Sequence, residues 1–290
     1  MERQETPKLN QITDHVYWLS PDETTDRPVL GVVSGEHSTL IVDAGNSPAH
    51  AQLLLGELTR IKVAPPRFLV LTHWHWDHVF GAHTFALPTL ASIQTRRIVE
   101  EMAQLDWSDE AIDRRVEEGV EIEFCRDNMK AELPDRSQLI LKAPEIGYSS
   151  LLELDLGGVI CDLVTVGGDH ASDSSIVYVR EDKVMFLGDC LSEDLYSGPP
   201  SFTTRKLYPL LDQLLSFDAD FYLEGHAPEP MTRGQMVELA TLFKRIGREV
   251  ERSGPEREAI LSALRTGMDE ALDDETLEIV DSYLAGLRKP

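Results

Sequence analysis

Thr72-His73-Trp74-His75-Trp76-Asp77-His78 packs three imidazoles and a carboxylate into six consecutive residues, 73–78. The apolar run ahead of it, residues 68–71, has the length and composition of a fully buried strand. The cluster therefore stands where the chain leaves a sheet, and few packing reasons would concentrate such side chains there. Neutral imidazole nitrogen with carboxylate oxygen is a ligand set that suits zinc. In extended backbone His73 and His75 point the same way. A turn after His75 can aim Asp77 and His78 at a second, nearby point.

Three further ligand types stand at strand ends, where a loop-built site draws its residues. Gly167-Gly168-Asp169-His170 follows a strand pattern at 159–166. Phe186-Leu187-Gly188-Asp189 closes another at 184–187, and Gly225-His226 closes one at 221–223. Glycine beside each ligand permits close backbone approach. Cys190 adjoins Asp189, but a buried small apolar group is the better reading for it.

The remaining pattern organises the chain. Strand-like runs occupy 16–19, 29–34 and 39–43. Ser47-Pro48 then opens a helix with serine as cap and proline at its first position. Residues 94–130 read as helical and charged. Strand patterns return at 139–142, 151–154, 159–166, 175–179 and 184–187, followed by a helix over about 204–216. Two strand-rich halves with helices predict an α/β fold, an αββα sandwich of two mixed sheets with outer helices. From Met236 onward the apolar residues follow helical spacing. The chain thus divides into a strand-rich main domain, 1–230, and a C-terminal helical extension, 231–290. The extension cannot bury its apolar faces alone, so it should pack on the main body or against another subunit as a homodimer.

The string Thr72-His73-x-His75-x-Asp77-His78, with His170, Asp189, His226 and Asp43 in Ile41-Val42-Asp43-Ala44-Gly45, resembles the metallo-β-lactamase superfamily over residues 12–230. The resemblance implies the same αββα fold. It also implies two divalent metal ions, with zinc first in order and iron or manganese compatible with the same ligands. His73, His75 and His170 would hold one ion. Asp77, His78 and His226 would hold the other, and Asp189 would bridge them. Asp43 would lie beneath the metal loop and orient it through hydrogen bonds. A metal-bridging hydroxide would then attack a small ester, thioester, lactone or amide, and Asp77 could accept the proton of the attacking water. Aspartate rather than cysteine at the bridging position, with Ser192 rather than a basic residue three positions on, argues against dedicated antibiotic hydrolysis. The alternative within the same resemblance is a mononuclear iron persulfide dioxygenase.

Substrate contacts are expected from the segment 94–150 and the loop 195–200, with Tyr148, Tyr196, Arg205 and Tyr208 as candidates. Fifty-one acidic against 27 basic residues give a net charge of −24, which repels phosphate backbones and anionic lipid. A small-molecule substrate is therefore expected, without nucleic acid or membrane as partner. Cys125, Cys161 and Cys190 cannot all pair within one chain and show no CxxC spacing, as in a reducing compartment. With a polar stretch at 1–10 and no apolar run of membrane length, the expectation is a cytoplasmic, soluble protein.

Overall fold

The computed structural model describes residues 8–266, 272–287 and 289, so most of the polar stretch at 1–10 lies outside the described residues. Seven strands form the first sheet, in chain order across it: β1 (Leu9–Gln11), β2 (Val16–Leu19), β3 (Leu30–Ser34), β4 (Thr39–Val42), β5 (Pro66–Val70), β6 (Thr89–Ser92) and β7 (Ile146–Tyr148). Pairing is antiparallel from β1 to β4 and parallel from β4 to β7. The second sheet holds β8 (Leu151–Asp155), β9 (Ile160–Thr165), β10 (Ser175–Val179), β11 (Val184–Gly188), β12 (Phe221–Glu224) and β13 (Met231–Thr232), in the order β13-β12-β11-β10-β9-β8. Only β11 and β12 pair in parallel there.

Both faces of the central strands are covered, which is why β4, β10 and β11 read as continuous apolar runs. Leu40 and Val42 of β4 face Val177 and Phe186 of the other sheet in a shared inner cluster. Ile41, between them, joins Leu54 and Leu58 of α1 (Pro48–Leu58) on the outer side. The same outer cluster takes in α2 (Trp76–Val79), α3 (Ala82–Phe85), α4 (Ile93–Met102), α5 (Asp109–Glu117) and α6 (Glu123–Glu132). On the far side Ile176, Met185 and Leu187 pack under α7 (Thr204–Ser216), α8 (Arg233–Ser253), α9 (Arg257–Arg265) and α10 (Asp274–Gly286). The layers are thus helix, sheet, sheet, helix, as the sequence pattern implied.

Caps fix several helix starts. Ser47 accepts from the His50 amide, with Pro48 in the first turn. Thr232 and Gln235 form a reciprocal capping box at the head of α8. The C-terminal helices lie on the main body. The Phe202 amide donates to the Ser282 carbonyl at 3.1 Å, and Lys289 Nζ reaches Asp194 Oδ2 at 2.9 Å. Among the described residues no helix is long and apolar enough to cross a membrane.

Local expectations change in three places. Residues 139–142 are not a strand; Leu139 and Leu141 are irregular chain packed on the helices of the first sheet. The strand that enters the sheet there is β7, a little further on. The helical stretch 94–130 divides into three helices, with Ser108 capping α5 through the Ala111 amide. Strand β6 has no alternating pattern and runs directly into α4, so nothing in its four residues separates it from the helix that follows.

Candidate metal centre

The candidate ligands follow strand ends: His73 and His75 leave β5, Asp77 and His78 sit in α2 beyond it, and His170, Asp189 and His226 follow β9, β11 and β12. Strand β4 ends at Val42, and Asp43 turns the chain with φ 61°, a conformation that aspartate tolerates better than most residues. Its carboxylate accepts from the Thr72 amide at 2.7 Å, the Thr72 hydroxyl at 2.8 Å and His78 Nδ1 at 2.8 Å. Asp43 thereby ties the end of β4 to both ends of the histidine loop. Trp76, buried against Phe80, anchors the loop from the core side. Trp74 is half-buried, with its ring 4.4 Å from that of His75.

The side chains converge in two groups: His73, His75 and His170, and Asp77, His78, Asp189 and His226. Within each group the ligand atoms lie within 4.8 Å of one another. Asp189 Oδ2 sits between the groups, 3.9 Å from His73 Nε2, 3.5 Å from His170 Nε2, 3.3 Å from His78 Nε2 and 3.4 Å from His226 Nε2. Asp77 Oδ2 is 3.0 Å from His78 Nε2 and 3.2 Å from His226 Nε2. Donors at about 2.1 Å from one tetrahedral cation stand about 3.4 Å apart, so most of these separations match edges of a coordination shell.

The protonation pattern fits the same purpose. His78 Nδ1 donates to Asp43, and His170 Nδ1 donates to the Glu193 carbonyl at 2.9 Å. His73 Nδ1 is 3.1 Å from the Thr72 hydroxyl, whose own proton goes to Asp43. Each Nδ1 is thus the donor, which leaves the Nε2 lone pair turned inward. The Nε2 atoms of His73, His75 and His170 are buried and have no hydrogen-bond partner. An orphaned buried acceptor is costly, and three aimed at one point fit a cation.

Burial and the neighbouring imidazoles, His78 first, hold His73 well below the usual histidine range; burial and His170 bring His75 down to about 3. In the second group burial opposes every charge, yet the charges outweigh it. Asp77 and Asp189 hold His78 and His226 protonated, and the two histidines keep both carboxylates ionised. A divalent ion supplies the same compensation without those protons. The two donor groups therefore suit metal cations.

Glycine makes the approach possible. A Cβ on Gly225 would stand 1.9 Å from Asp189 Oδ1. Gly188 has φ +52° and would bring a Cβ to 2.5 Å from the Thr72 hydroxyl.

Above the ligands lies a cleft of about 550 Å³, lined by His75, Asp77, His170, Asp189 and His226 together with Glu23, Asp26, Phe124, Cys125, Glu193 and Tyr196, among others. Of the four residues expected to contact substrate, only Tyr196 lines it. The Tyr196 ring lies 5.2 Å from that of His75, and its hydroxyl donates to Glu121 Oε1 at 3.0 Å. Tyr148, on edge strand β7, points between the sheets and is buried in the inner cluster. Arg205 and Tyr208 belong to α7, which covers the outer face of the second sheet. Arg205 borders a separate hollow beside α8 and α10, and the Tyr208 hydroxyl donates to the Lys244 carbonyl at 3.0 Å. Tyr148, Arg205 and Tyr208 thus stand away from the cleft: β7 turns Tyr148 between the sheets, and Arg205 and Tyr208 ride on α7, outside the second sheet. Asp26, Glu23 and Glu193 were missed, since acidic loop residues are common in this chain. Phe124 and Cys125 fall within the segment expected to roof the site.

Asp173, three residues past His170, is fully buried behind the loop, and burial pushes its carboxyl up to about 6. A raised carboxyl pKa means that folding binds a proton between the unfolded value and about 6, so this group's contribution falls as pH rises through that window. Asp173→Asn should therefore raise stability at pH 8 by up to about 3 kcal/mol. The gain should vanish near pH 4, and denaturant melts at the two pH values check the difference. An equal effect at both would show that charge burial is not the cause.

Comparison with known proteins places this geometry. A family model described as "Metallo-beta-lactamase superfamily" matches residues 28–226. The metallo-beta-lactamase type 2 of Bacteroides fragilis is 22% identical over 191 residues, which is 64% of this chain and 63% of that protein. The match thus spans less than two thirds of that relative's length. Among solved structures, a metallo-beta-lactamase from Pontibacter korlensis superposes with TM-score 0.57 at 17% identity, covering 81% of this chain and 98% of the other. The DIM-1 metallo-beta-lactamase superposes with TM-score 0.56 at 16% identity, covering 82% and 97%.

Proposed function

This chain belongs to the metallo-beta-lactamase superfamily, and from that premise we propose that it is a dinuclear, zinc-dependent hydrolase of a small ester, thioester, lactone or amide. The observation that carries the proposal is the pair of converging donor groups with Asp189 Oδ2 between them. Two divalent ions held there would supply Lewis acidity toward the scissile carbonyl and lower the pKa of water toward neutrality. The protein's own groups do the rest. Asp43 fixes the His78 ring through Nδ1, and the Glu193 carbonyl fixes His170 in the same way. Asp77, open to the cleft at its floor, is placed to accept the proton of the attacking water. Tyr196 and α6 screen the floor from solvent, which strengthens each electrostatic contact below them. The net charge of −24 supports a small-molecule substrate rather than a nucleic acid.

Elemental mass spectrometry on protein purified without chelator or metal-affinity tag tests this reading. About two zinc ions per chain are expected. Chelation should abolish hydrolysis in an ester, thioester, lactone and amide screen, and added zinc should restore it. A single iron with oxygen uptake on persulfides would replace the hydrolase with the dioxygenase. A centre that takes up no added metal would overturn both.

A further inference from the structure

The floor of the cleft explains reaction chemistry; its walls bear on which substrates can reach it. No lysine or arginine lines the cleft among the described residues. Its charged side chains besides the donors are Glu23, Asp26 and Glu193, all acidic: Asp26 Oδ1 lies 3.5 Å from His226 Nδ1, Glu193 Oε1 accepts from the Ser282 hydroxyl at 3.1 Å, and Glu23 is exposed. Its apolar side chains include Phe124, Leu195 and Tyr196. Phe124, in the first turn of α6, is 56% exposed, a large share for a phenyl ring that nothing in the fold requires to face water. On the floor the buried Nε2 atoms of His75 and His170 and the Asp189 Oδ1 atom lack partners, and they belong to the donor groups described above.

Charge then discriminates. Asp77 and Asp189 offset half the charge of two divalent ions, and the acidic wall adds further negative charge above them. A substrate carboxylate or phosphate would shed water to enter and meet no guanidinium or ammonium, which normally compensates that loss. The metal centre could pair with it only by giving up the scissile carbonyl. An ammonium group meets the reverse: carboxylates to neutralise it, and the faces of Phe124 and Tyr196 to pack on its methyl or methylene groups. The protein's large negative charge adds attraction at a distance.

Resting on the hydrolase reading above, we infer that the site selects substrates by charge, preferring an ester, thioester, lactone or amide that carries an ammonium group over its neutral isostere, and rejecting the one that carries a carboxylate. Glu23 with Phe124 and Tyr196 forms the ammonium subsite, and Asp26 and Glu193 add negative charge nearby.

Three thioesters of one thiol test this, with acyl chains of equal length ending in trimethylammonium, tert-butyl or carboxylate. They are offered to the zinc-loaded protein, and kcat/KM is measured for each at low ionic strength and again in high salt. Binding of the matching non-hydrolysable ketones is measured by calorimetry, so that recognition is read independently of turnover. The ammonium compounds should exceed the carboxylate compounds by at least about tenfold in both readouts. The ratio should shrink in salt, and Glu23→Gln should narrow it by about twofold to threefold. Equal binding of the three ketones, or preference for the carboxylate, overturns the charge selection and leaves the hydrolase standing. Selective binding of the ammonium ketone with no hydrolysis of any thioester keeps the subsite and overturns the hydrolase.

Discussion

Asp77→Ala should lower hydrolysis by about two to four orders of magnitude while leaving the fold intact. The Asp77 carboxylate is 5% exposed and is held by His78 and His226 alone among the donors, at 3.0 and 3.2 Å. It has no contact with the His73, His75 and His170 group, whose orphaned nitrogens converge separately. Removing it should therefore empty one half of the centre and spare the other, so that metal content falls from about two ions per chain toward one. His226 suffers most, since its side chain is 36% exposed and is otherwise held only by Asp189 at 3.4 Å and Asp26 at 3.5 Å. Asp77→Asn separates the two roles assigned to this residue. The amide keeps the shape and one acceptor oxygen but cannot take a proton, so turnover should fall even in excess zinc that restores occupancy. Near-wild-type turnover in either variant would remove Asp77 from the chemistry and leave the proton to another group.

The sequence discloses the metal centre far better than the pocket above it, and the reason is physical. A cation demands particular atoms at fixed separations, so His73, His75, Asp77 and His78 must crowd a short loop, and His170, Asp189 and His226 must follow strands that end at one level. That demand leaves a spacing in the chain. Strands β4, β10 and β11 are legible because both faces are buried and the apolar run is unbroken. The pocket wall obeys no such rule. Glu23 and Asp26 arrive from the β2–β3 connection, Phe124 from α6 and Glu193 from the loop after β11, and no local pattern links them. Tyr148 and Tyr196 look alike in sequence, yet one lies between the sheets and the other over the site. Tyr148 ends edge strand β7, whereas Tyr196 stands in the loop between β11 and α7. Short edge strands such as β1 and β13 leave still less trace, because two or three residues cannot show a period.

Asp43→Asn, a change of one atom outside the donor set, should weaken metal binding at the second group by about tenfold to a hundredfold. Backbone strain is not the cause, because asparagine accepts the φ of 61° as readily as aspartate. The cause is a count of lone pairs. The carboxylate accepts three hydrogen bonds, from the Thr72 amide, the Thr72 hydroxyl and His78 Nδ1. An amide offers one acceptor oxygen and two donor protons. If its oxygen stays on the Thr72 amide, its nitrogen confronts His78 Nδ1, donor against donor. Relief requires His78 to move its proton from Nδ1 to Nε2. That nitrogen is the one turned toward Asp77 and Asp189 at 3.0 and 3.3 Å, and once protonated it cannot bind a cation. If the amide flips, the Thr72 amide loses its buried acceptor instead, and stability falls by about 1–3 kcal/mol. Either route costs the centre or the loop that carries it. Titration against a competing chelator reads the affinity, and nitrogen chemical shifts of His78 read the tautomer. A His78 still protonated at Nδ1, with metal affinity unchanged, would show that the ring is oriented by its packing and that the Asp43 tether is dispensable.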